Sequence, residues 1–180
     1  MREFDIDKSL KIVYTYVRFS FNQGCKKIKE YIEDTYGSIA EFSNDTTGFY
    51  YKQTSAPESD EAFPSDTTIY INYTGKLLNG LVFDTTDERI AKDNGLYNPD
   101  KSYTPVSIQW GEEYTDITMG SGSSSVIDGF ARTLWQMKAM ESGVSIFYSP
   151  LGYGYSGSEP SIPPYSPLIF EIEIVEKPEE

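Results

Sequence analysis

Two stretches of this chain place aromatic residues and a few polar groups beside predicted turns, and these are the best candidates for chemistry. They run over residues 72–84 and 153–172. Their aromatic and acidic members include Tyr73, Phe83, Asp84, Tyr153 and Phe170. The chain has no histidine and one cysteine, which excludes Ser/His/Asp and Cys/His nucleophiles, imidazole bases and thiolate metal clusters. The chemistry indicated is that of an aromatic-walled pocket, without a catalytic triad, a metal or a cofactor.

Three other polar clusters are weaker candidates. Gly120-Ser121-Gly122 is like a phosphate loop only superficially, because no lysine follows it. Residues 93–100 hold several aspartates and asparagines, but their spacing fails the EF-hand pattern. Glu112, Glu113 and Asp116 could form a carboxylate pair, yet nothing nearby tunes them for acid–base work. We interpret these clusters as a flexible connection, a solvated turn and a charged surface.

The composition limits the class of protein. The formal net charge is −13, which argues against binding to nucleic-acid phosphates and favours solubility. The single cysteine excludes an intrachain disulfide, and no apolar run is long enough for a predicted transmembrane helix. The chain is rich in tyrosine and phenylalanine, which favours a β-rich domain.

A β-rich framework must position the candidate residues. Alternation and turn signals predict strands over residues 48–54, 67–73, 81–83, 106–110, 144–148 and 168–175. A short helix is predicted over residues 126–140, where Phe130, Leu134 and Met137 follow helical spacing. We interpret residues 87–103 as a long polar surface insertion. An antiparallel sheet with one helix on one face is an α+β architecture.

The first 45 residues form a separate, helical extension in this interpretation. Leu10, Tyr14, Val17 and Phe21 fall at helical spacing, as do Ile28, Tyr31 and Ile32. A break between two helices is predicted at Asn22-Gln23-Gly24. The second helix is predicted over residues 26–36 and ends at Gly37.

Several motifs in the same order over more than a hundred residues resemble FKBP-type peptidyl-prolyl cis-trans isomerases. They are Tyr73-Thr74-Gly75-Lys76-Leu77 with Gly80 and Phe83-Asp84, Val126-Ile127-Asp128-Gly129-Phe130, Leu151-Gly152-Tyr153-Gly154, Ile162-Pro163-Pro164 and Leu168-Ile169-Phe170-Glu171-Ile172. The resemblance covers about residues 48–176. It implies a twisted antiparallel sheet wrapped around one short helix over residues 46–180, with an insertion at about 87–120.

The resemblance also assigns site residues. Tyr73, Asp84 and Tyr153 would be catalytic. The proline-binding pocket would be lined by Phe83, Val126, Ile127, Phe130, Ile162 and Phe170. Arg89 stands where the family often has an arginine that pairs with the pocket aspartate, here Asp84. The family's tryptophan at the pocket floor is replaced by Phe130, and the acidic residue before the Val-Ile pair by Ser125, so we expect altered affinity rather than loss of function.

The implied activity is isomerisation of X-Pro bonds during protein folding, without a cofactor. Rotation about an amide requires no proton transfer, which agrees with the absence of histidine. One alternative is a peptide-binding or chaperone module with weak or no isomerase activity, as the Phe130 floor and the insertion suggest. A third interpretation is a structural or adhesive surface domain.

Partners and compartment follow from the same resemblance. The expected partners are proline-containing polypeptides and the macrolide ligands of the family, and nucleic acid is not expected. The N-terminal extension either serves dimerisation or client holding, as in related proteins, or packs its apolar face on its own domain. The N-terminus lacks a basic and apolar leader. By analogy with envelope proteins that carry such extensions, a bacterial cell envelope location with the signal removed is favoured over the cytoplasm.

Overall fold

The computed structural model describes residues 23–121 and 124–179. The strands are β1 (Ser43–Asn44), β2 (Phe49–Ser55), β3 (Thr68–Leu77), β4 (Val82–Thr85), β5 (Val106–Gln109), β6 (Thr118–Met119), β7 (Ser124–Ser125), β8 (Ser142–Phe147) and β9 (Leu168–Val175). The helices are α1 (residues 23–36), α2 (Glu88–Asp93) and α3 (Asp128–Gln136). Short 3-10 turns lie at Ile39–Glu41, Tyr114–Asp116 and Ser149–Leu151. No helix in the described residues has the length and apolar character needed to cross a membrane.

All nine described strands join one antiparallel sheet. Its order is β1-β2-β8-β9-β3-β5-β6-β7, and β4 pairs with the C-terminal part of β3. The centre is the β3–β9 pair, which runs in register from Tyr70 opposite Val175 to Leu77 opposite Leu168. The even-numbered residues of β9 from 168 to 174 are buried, whereas Glu171 and Glu173 are exposed. This sheet, with one short helix on one face and a helix near the N-terminus, confirms the predicted α+β fold.

Helix α3 packs on one face of the sheet and forms the main core. The three residues predicted from helical spacing, Phe130, Leu134 and Met137, are all buried there. A Cβ atom on Gly129 would lie 2.5 Å from the Phe147 ring, so the glycine allows the helix backbone to approach the sheet closely. The helix is shorter than the predicted 126–140 because both of its capping residues, Ile127 and Met137, have extended backbone.

Helix α1 packs on the opposite face and forms a second core. Ile28 and Ile32 are fully buried there, in a cluster that includes Tyr50, Ile146 and Ile169. These strand residues alternate with those of the main core, so they point to the other side of the sheet. The described part of the extension therefore packs on its own domain.

The helical prediction for residues 26–36 is confirmed, but the predicted break does not fall at residues 23 and 24, and its first residue, Asn22, lies outside the described residues. Residues 23 and 24 are already helical, and a Cβ on Gly24 would lie 2.2 Å from the Tyr148 ring. The glycine thus serves close packing rather than a chain break. Gly37 ends the helix with a φ of +83°, as a left-handed C-terminal glycine does. The predicted helical segment over residues 10–21 lies outside the described residues.

The insertion is more regular than its polar sequence indicates. Residues 88–93, interpreted as part of a long polar surface insertion, form α2. Asp87 begins this helix because its carboxylate accepts a 2.8 Å hydrogen bond from the Ile90 N–H. The segment predicted as a flexible loop, residues 120–125, contributes β7, which pairs with β6 on its N-terminal side through Ser125 and Thr118. The sheet therefore continues from the insertion to the start of α3.

Candidate active site

Aromatic rings from four elements meet on the α3 side of the sheet. Strand β3 supplies Tyr73, β4 supplies Phe83, α3 supplies Phe130 and β9 supplies Phe170. The Phe170 centroid lies 5.0 Å from that of Phe130 and 5.6 Å from that of Phe83, both with edge-to-face geometry. The Tyr73 ring meets Phe130 edge-on at 5.5 Å. These contacts form a continuous apolar wall whose rings support one another.

A glycine in β3 makes room for two of these rings. A Cβ on Gly75 would lie 2.5 Å from the Phe83 ring and 3.1 Å from the Phe170 ring. The residue is opposite Phe170 on β9 and opposite Asp84 on β4. Glycine weakens a strand, so its position here is explained by the close approach of the rings.

The rings enclose a cavity of about 570 Å³. All nine residues predicted as catalytic or substrate-binding line it, namely Tyr73, Phe83, Asp84, Val126, Ile127, Phe130, Tyr153, Ile162 and Phe170. Five further residues, which were not predicted from the sequence, also line it, namely Met119, Ser124, Ser158, Glu159 and Ser161. These residues come from the β6–β7 hairpin and the loop before Ile162, and no sequence spacing links them to the pocket motifs.

The main polar group of the cavity is the Asp84 carboxylate, and three donors hold it. Its Oδ2 atom accepts a 2.5 Å hydrogen bond from the Tyr73 hydroxyl. Its Oδ1 atom accepts from the Thr85 N–H at 2.9 Å and from the Lys101 ammonium at 2.6 Å. Burial, and then the hydrogen bond to Asp84, raise the pKa of Tyr73 far above its ordinary value. The Tyr73 phenol therefore stays protonated and acts as a donor.

The predicted pairing of Arg89 with Asp84 is wrong. Arg89 is on α2, where its side chain is 91% exposed and lies 3.8 Å from Asp93, one helical turn later. It lines an open groove on the other face of the sheet, together with Asn72 and Glu173. The helix at residues 88–93 carries Arg89 away from the carboxylate, and Lys101 takes that place.

Two further donors face the cavity from α3 and from the loop after β8. Ile127 caps α3 through its carbonyl, which accepts from the Phe130 and Ala131 N–H groups. Within the described residues its own N–H and the Tyr153 hydroxyl have no hydrogen-bond partner. Burial, and then the nearby Asp84 carboxylate, raise the pKa of Tyr153, so this hydroxyl also remains a donor at neutral pH.

This arrangement is suited to binding a ring and a peptide group. The aromatic wall can receive a small apolar ring, and the Ile127 N–H and Tyr153 hydroxyl can donate to carbonyl oxygens. Among the described residues no group of three or more histidine, cysteine, aspartate or glutamate side chains is placed to hold a metal ion. The site can therefore desolvate, orient and polarise a ligand.

Comparisons with known proteins agree with this geometry. The sequence model of the FKBP-type peptidyl-prolyl cis-trans isomerase family matches residues 59–175. A Haemophilus influenzae protein named "Probable FKBP-type peptidyl-prolyl cis-trans isomerase" is 32% identical over 130 residues, which are 72% of this chain and 43% of that protein. The FKBP-type 22 kDa peptidyl-prolyl cis-trans isomerase of Escherichia coli K12 is 29% identical over 120 residues, 66% of this chain and 46% of that protein. The chain thus spans less than half the length of these two relatives.

Solved structures show the same fold. A peptidyl-prolyl cis-trans isomerase from Pseudomonas syringae superposes with a TM-score of 0.58 at 19% identity, over 88% of this chain and 93% of that one. FkpA from Escherichia coli superposes with a TM-score of 0.56 at 21% identity, over 98% of this chain and 73% of that one. Because the family model matches more than half of its residues, the chain belongs to the FKBP-type peptidyl-prolyl cis-trans isomerase family.

Proposed function

We propose that this protein is a peptidyl-prolyl cis-trans isomerase that acts on X-Pro bonds of unfolded or maturing polypeptides. The observation that carries the proposal is the 570 Å³ aromatic cavity with the Asp84–Tyr73 pair at its edge. In it, Phe83, Phe130 and Phe170 hold the prolyl ring. The Tyr153 hydroxyl and the Ile127 N–H hold the neighbouring carbonyls, and Asp84 acts electrostatically on the rotating amide.

The chemistry fits a site without an acid–base pair. Rotation of the amide meets a barrier of about 18–20 kcal/mol because the C–N bond has partial double-bond character. The twisted amide has lost this resonance and its charge separation, so a water-poor apolar wall favours it over the planar form. Phe130 and Phe170 are 3% and 4% exposed, so the wall offers an apolar surface with little contact with bulk water.

The free energies of the individual contacts indicate that the apolar wall contributes to the rate acceleration as well as to substrate binding. Burying the prolyl ring is worth about 1.5–3 kcal/mol, which is enough to hold the substrate weakly. Two neutral hydrogen bonds contribute about 0.5–1.5 kcal/mol each. At about 1.4 kcal/mol per tenfold in rate, they account for roughly a hundredfold at most. Any larger acceleration must come from the desolvated site and from Asp84.

A protease-coupled assay on a short X-Pro peptide tests the activity. We expect wild type to exceed the uncatalysed rate, and Asp84→Ala and Phe83→Ala each to reduce kcat/KM. Tyr70→Phe is a matched control because Tyr70 lies on β3 but outside the cavity. Uncatalysed rates for wild type, with wild-type folding verified by circular dichroism, would exclude the isomerase function.

The proposal includes two further partners, a macrolide ligand and a second copy of this chain. We propose that the aromatic cavity also binds the macrolide ligands of the family, which competition with the X-Pro peptide would measure. Residues 23–36 use their apolar side on their own sheet, so a homodimer through the extension would depend on residues 1–22. Sedimentation of the full chain, beside a variant lacking residues 1–22, tests the dimer.

A second candidate function is client binding without efficient catalysis. Its specific support is an aromatic surface beside the cavity, where Tyr155 is 76% exposed and Tyr165 is 43% exposed. The Tyr165 N–H donates to the Gly154 carbonyl at 2.9 Å, so the two loops that carry these rings are neighbours. Suppression of aggregation that survives Asp84→Ala but falls in Tyr155→Ser would favour this function.

A further inference from the structure

We propose that Lys101, which the insertion carries to the cavity, is the positioning residue that fixes the Asp84 carboxylate for the reaction. Its ammonium donates to Asp84 Oδ1 at 2.6 Å and to the Thr85 carbonyl at 3.1 Å. This inference deepens the proposed isomerase function and rests on it. It gives the insertion a role at the active site.

The loop around Lys101 is built to present this side chain. The Tyr97 and Tyr103 rings stack with centroids 5.6 Å apart and planes 15° apart. The Tyr103 hydroxyl accepts from the Asn98 N–H at 2.9 Å, and the Lys101 N–H donates back to the Asn98 carbonyl at 3.1 Å. The Lys101 ammonium also lies 5.6 Å from the Tyr103 ring centre. The turn at residues 98–101 is therefore closed by its own backbone hydrogen bond, and Tyr103 contacts both its first and its last residue.

The position of Lys101 determines what it does to Asp84. Tyr73 holds one carboxylate oxygen from inside the cavity, and Lys101 holds the other from outside, so together they restrain rotation of the carboxylate. Without the ammonium, the outer oxygen keeps only the Thr85 N–H among the donors of residues 23–121 and 124–179. The carboxylate then gains rotational freedom and an uncompensated charge beside the substrate amide.

The same ion pair has little weight in global stability. Both side chains are 40% exposed, and ion pairs of this kind contribute little to folding because water and salt screen them. A substitution at Lys101 should therefore change the site while leaving the fold intact. The effect of Lys101 on the active site can therefore be measured without interference from unfolding.

The kinetic experiment compares Lys101→Met, Lys101→Arg and the matched control Lys76→Met. Lys76 also forms a partly exposed ion pair, at 2.7 Å from Glu171, but lies outside the cavity. We expect Lys101→Met to lower kcat/KM about tenfold, Lys101→Arg to stay within about twofold and Lys76→Met to match wild type. In an Asp84→Ala background, Lys101→Met should have no further effect, because the role passes through Asp84.

A spectroscopic measurement tests the positioning role of Lys101 independently of catalytic activity. The Tyr73 hydroxyl proton, held in a 2.5 Å hydrogen bond, should exchange slowly with water by NMR. We expect Lys101→Met to accelerate this exchange, Lys101→Arg to restore it and Tyr97→Ala to resemble Lys101→Met. If wild type lacks isomerase activity, the proposed function fails, and the exchange rates still test the positioning role. Unchanged exchange in Lys101→Met, or an equal loss of kcat/KM in the Asp84→Ala background, overturns the inference.

Discussion

The Tyr73 hydroxyl donates a 2.5 Å hydrogen bond to Asp84 Oδ2, and this bond joins β3 to β4 at the edge of the aromatic cavity. The Tyr73 ring also packs edge-on against Phe130, so one side chain contributes to the apolar wall and orients the carboxylate. The apolar wall and the charged carboxylate are thus held in place by the same side chain, Tyr73. Changing the hydroxyl alone separates the two contributions.

Tyr73→Phe should lower kcat/KM about tenfold, since a hydrogen bond to a charged group is worth about 1.5–3 kcal/mol and Asp84 is partly exposed. The phenylalanine ring keeps the wall, so KM should change little. Steady-state kinetics on an X-Pro peptide measure both parameters. Tyr70→Phe removes a hydroxyl from the same strand outside the cavity and should leave them unchanged. A Tyr73→Phe enzyme with wild-type kcat/KM would contradict the role of this bond.

The pH dependence of the activity should be flat through the neutral range. Burial raises the pKa values of Tyr73 and Tyr153 above the ordinary tyrosine value, so both phenols remain donors well into alkaline solution. The chain has no histidine to titrate between them and the carboxylates. We expect kcat/KM of wild type to vary less than about twofold from pH 6 to 9. A bell-shaped profile within that range would contradict a mechanism without proton transfer.

Strand alternation and motif order predicted much of this architecture. Alternation predicted the strands that carry Tyr73, Phe83 and Phe170. Only the ordered motifs, through the family resemblance, assigned the three side chains to one pocket. Helical spacing predicted the helix that carries Phe130, and the resemblance assigned Phe130 to the pocket floor. The sequence carries this information locally, within a few residues of each position. The structure places all four rings around one cavity, and their roles in the reaction remain predictions.

The elements that depend on distant contacts could not be predicted. Lys101 reaches Asp84 across 17 residues of sequence, along a loop path set by the Tyr97–Tyr103 stack. Arg89 has the spacing that the family uses, but a local helix directs it away. Gly24 resembles a chain break in sequence, although its reason is the Tyr148 ring from another part of the chain.

Gly75→Ala should damage the cavity without adding any polar group. The new Cβ would meet the Phe83 ring at 2.5 Å, and overpacking of this kind costs about 1–3 kcal/mol. We expect a lower free energy of unfolding in urea and a raised KM for the X-Pro peptide. Gly75→Ala with Phe83→Leu should recover stability, because the smaller side chain vacates the contact. If the double variant is less stable than Gly75→Ala alone, the clash is not the cause.

Ile28→Ala should lower stability while sparing catalysis. Ile28 is fully buried between α1 and the outer face of the sheet, so its truncation leaves a cavity that costs about 2–5 kcal/mol. The active site is on the other face, so kcat/KM of the folded variant should match wild type. Lys27→Ala, an exposed position on the same helix, is the control for helix propensity. Equal stabilities for Ile28→Ala and Lys27→Ala would show that α1 does not depend on this core.

Stability should decline in alkaline solution through the buried tyrosines. Burial raises the pKa of Tyr36 to about 12, and burial with the hydrogen bond to Glu141 raises that of Tyr51 further. Below about pH 10 these phenols are protonated in both the folded and the unfolded chain, and their full contribution to stability is present. Above it the unfolded chain loses its protons first, so the free energy of unfolding falls, by at most about 1.4 kcal/mol per pH unit for each such group.

Urea unfolding of wild type and Tyr51→Phe at pH 8 and at pH 11 measures this effect. The variant should show the smaller decline between the two pH values, because it has lost one of the phenols whose folded-state pKa is raised. Its stability at pH 8 should itself be lower, since Glu141 loses the Tyr51 donor and keeps the Lys138 N–H. Tyr155→Phe is the control, with a ring that is 76% exposed, and its decline should equal that of wild type. If Tyr51→Phe declines as steeply as wild type, the Tyr51 phenol does not couple folding to alkaline pH.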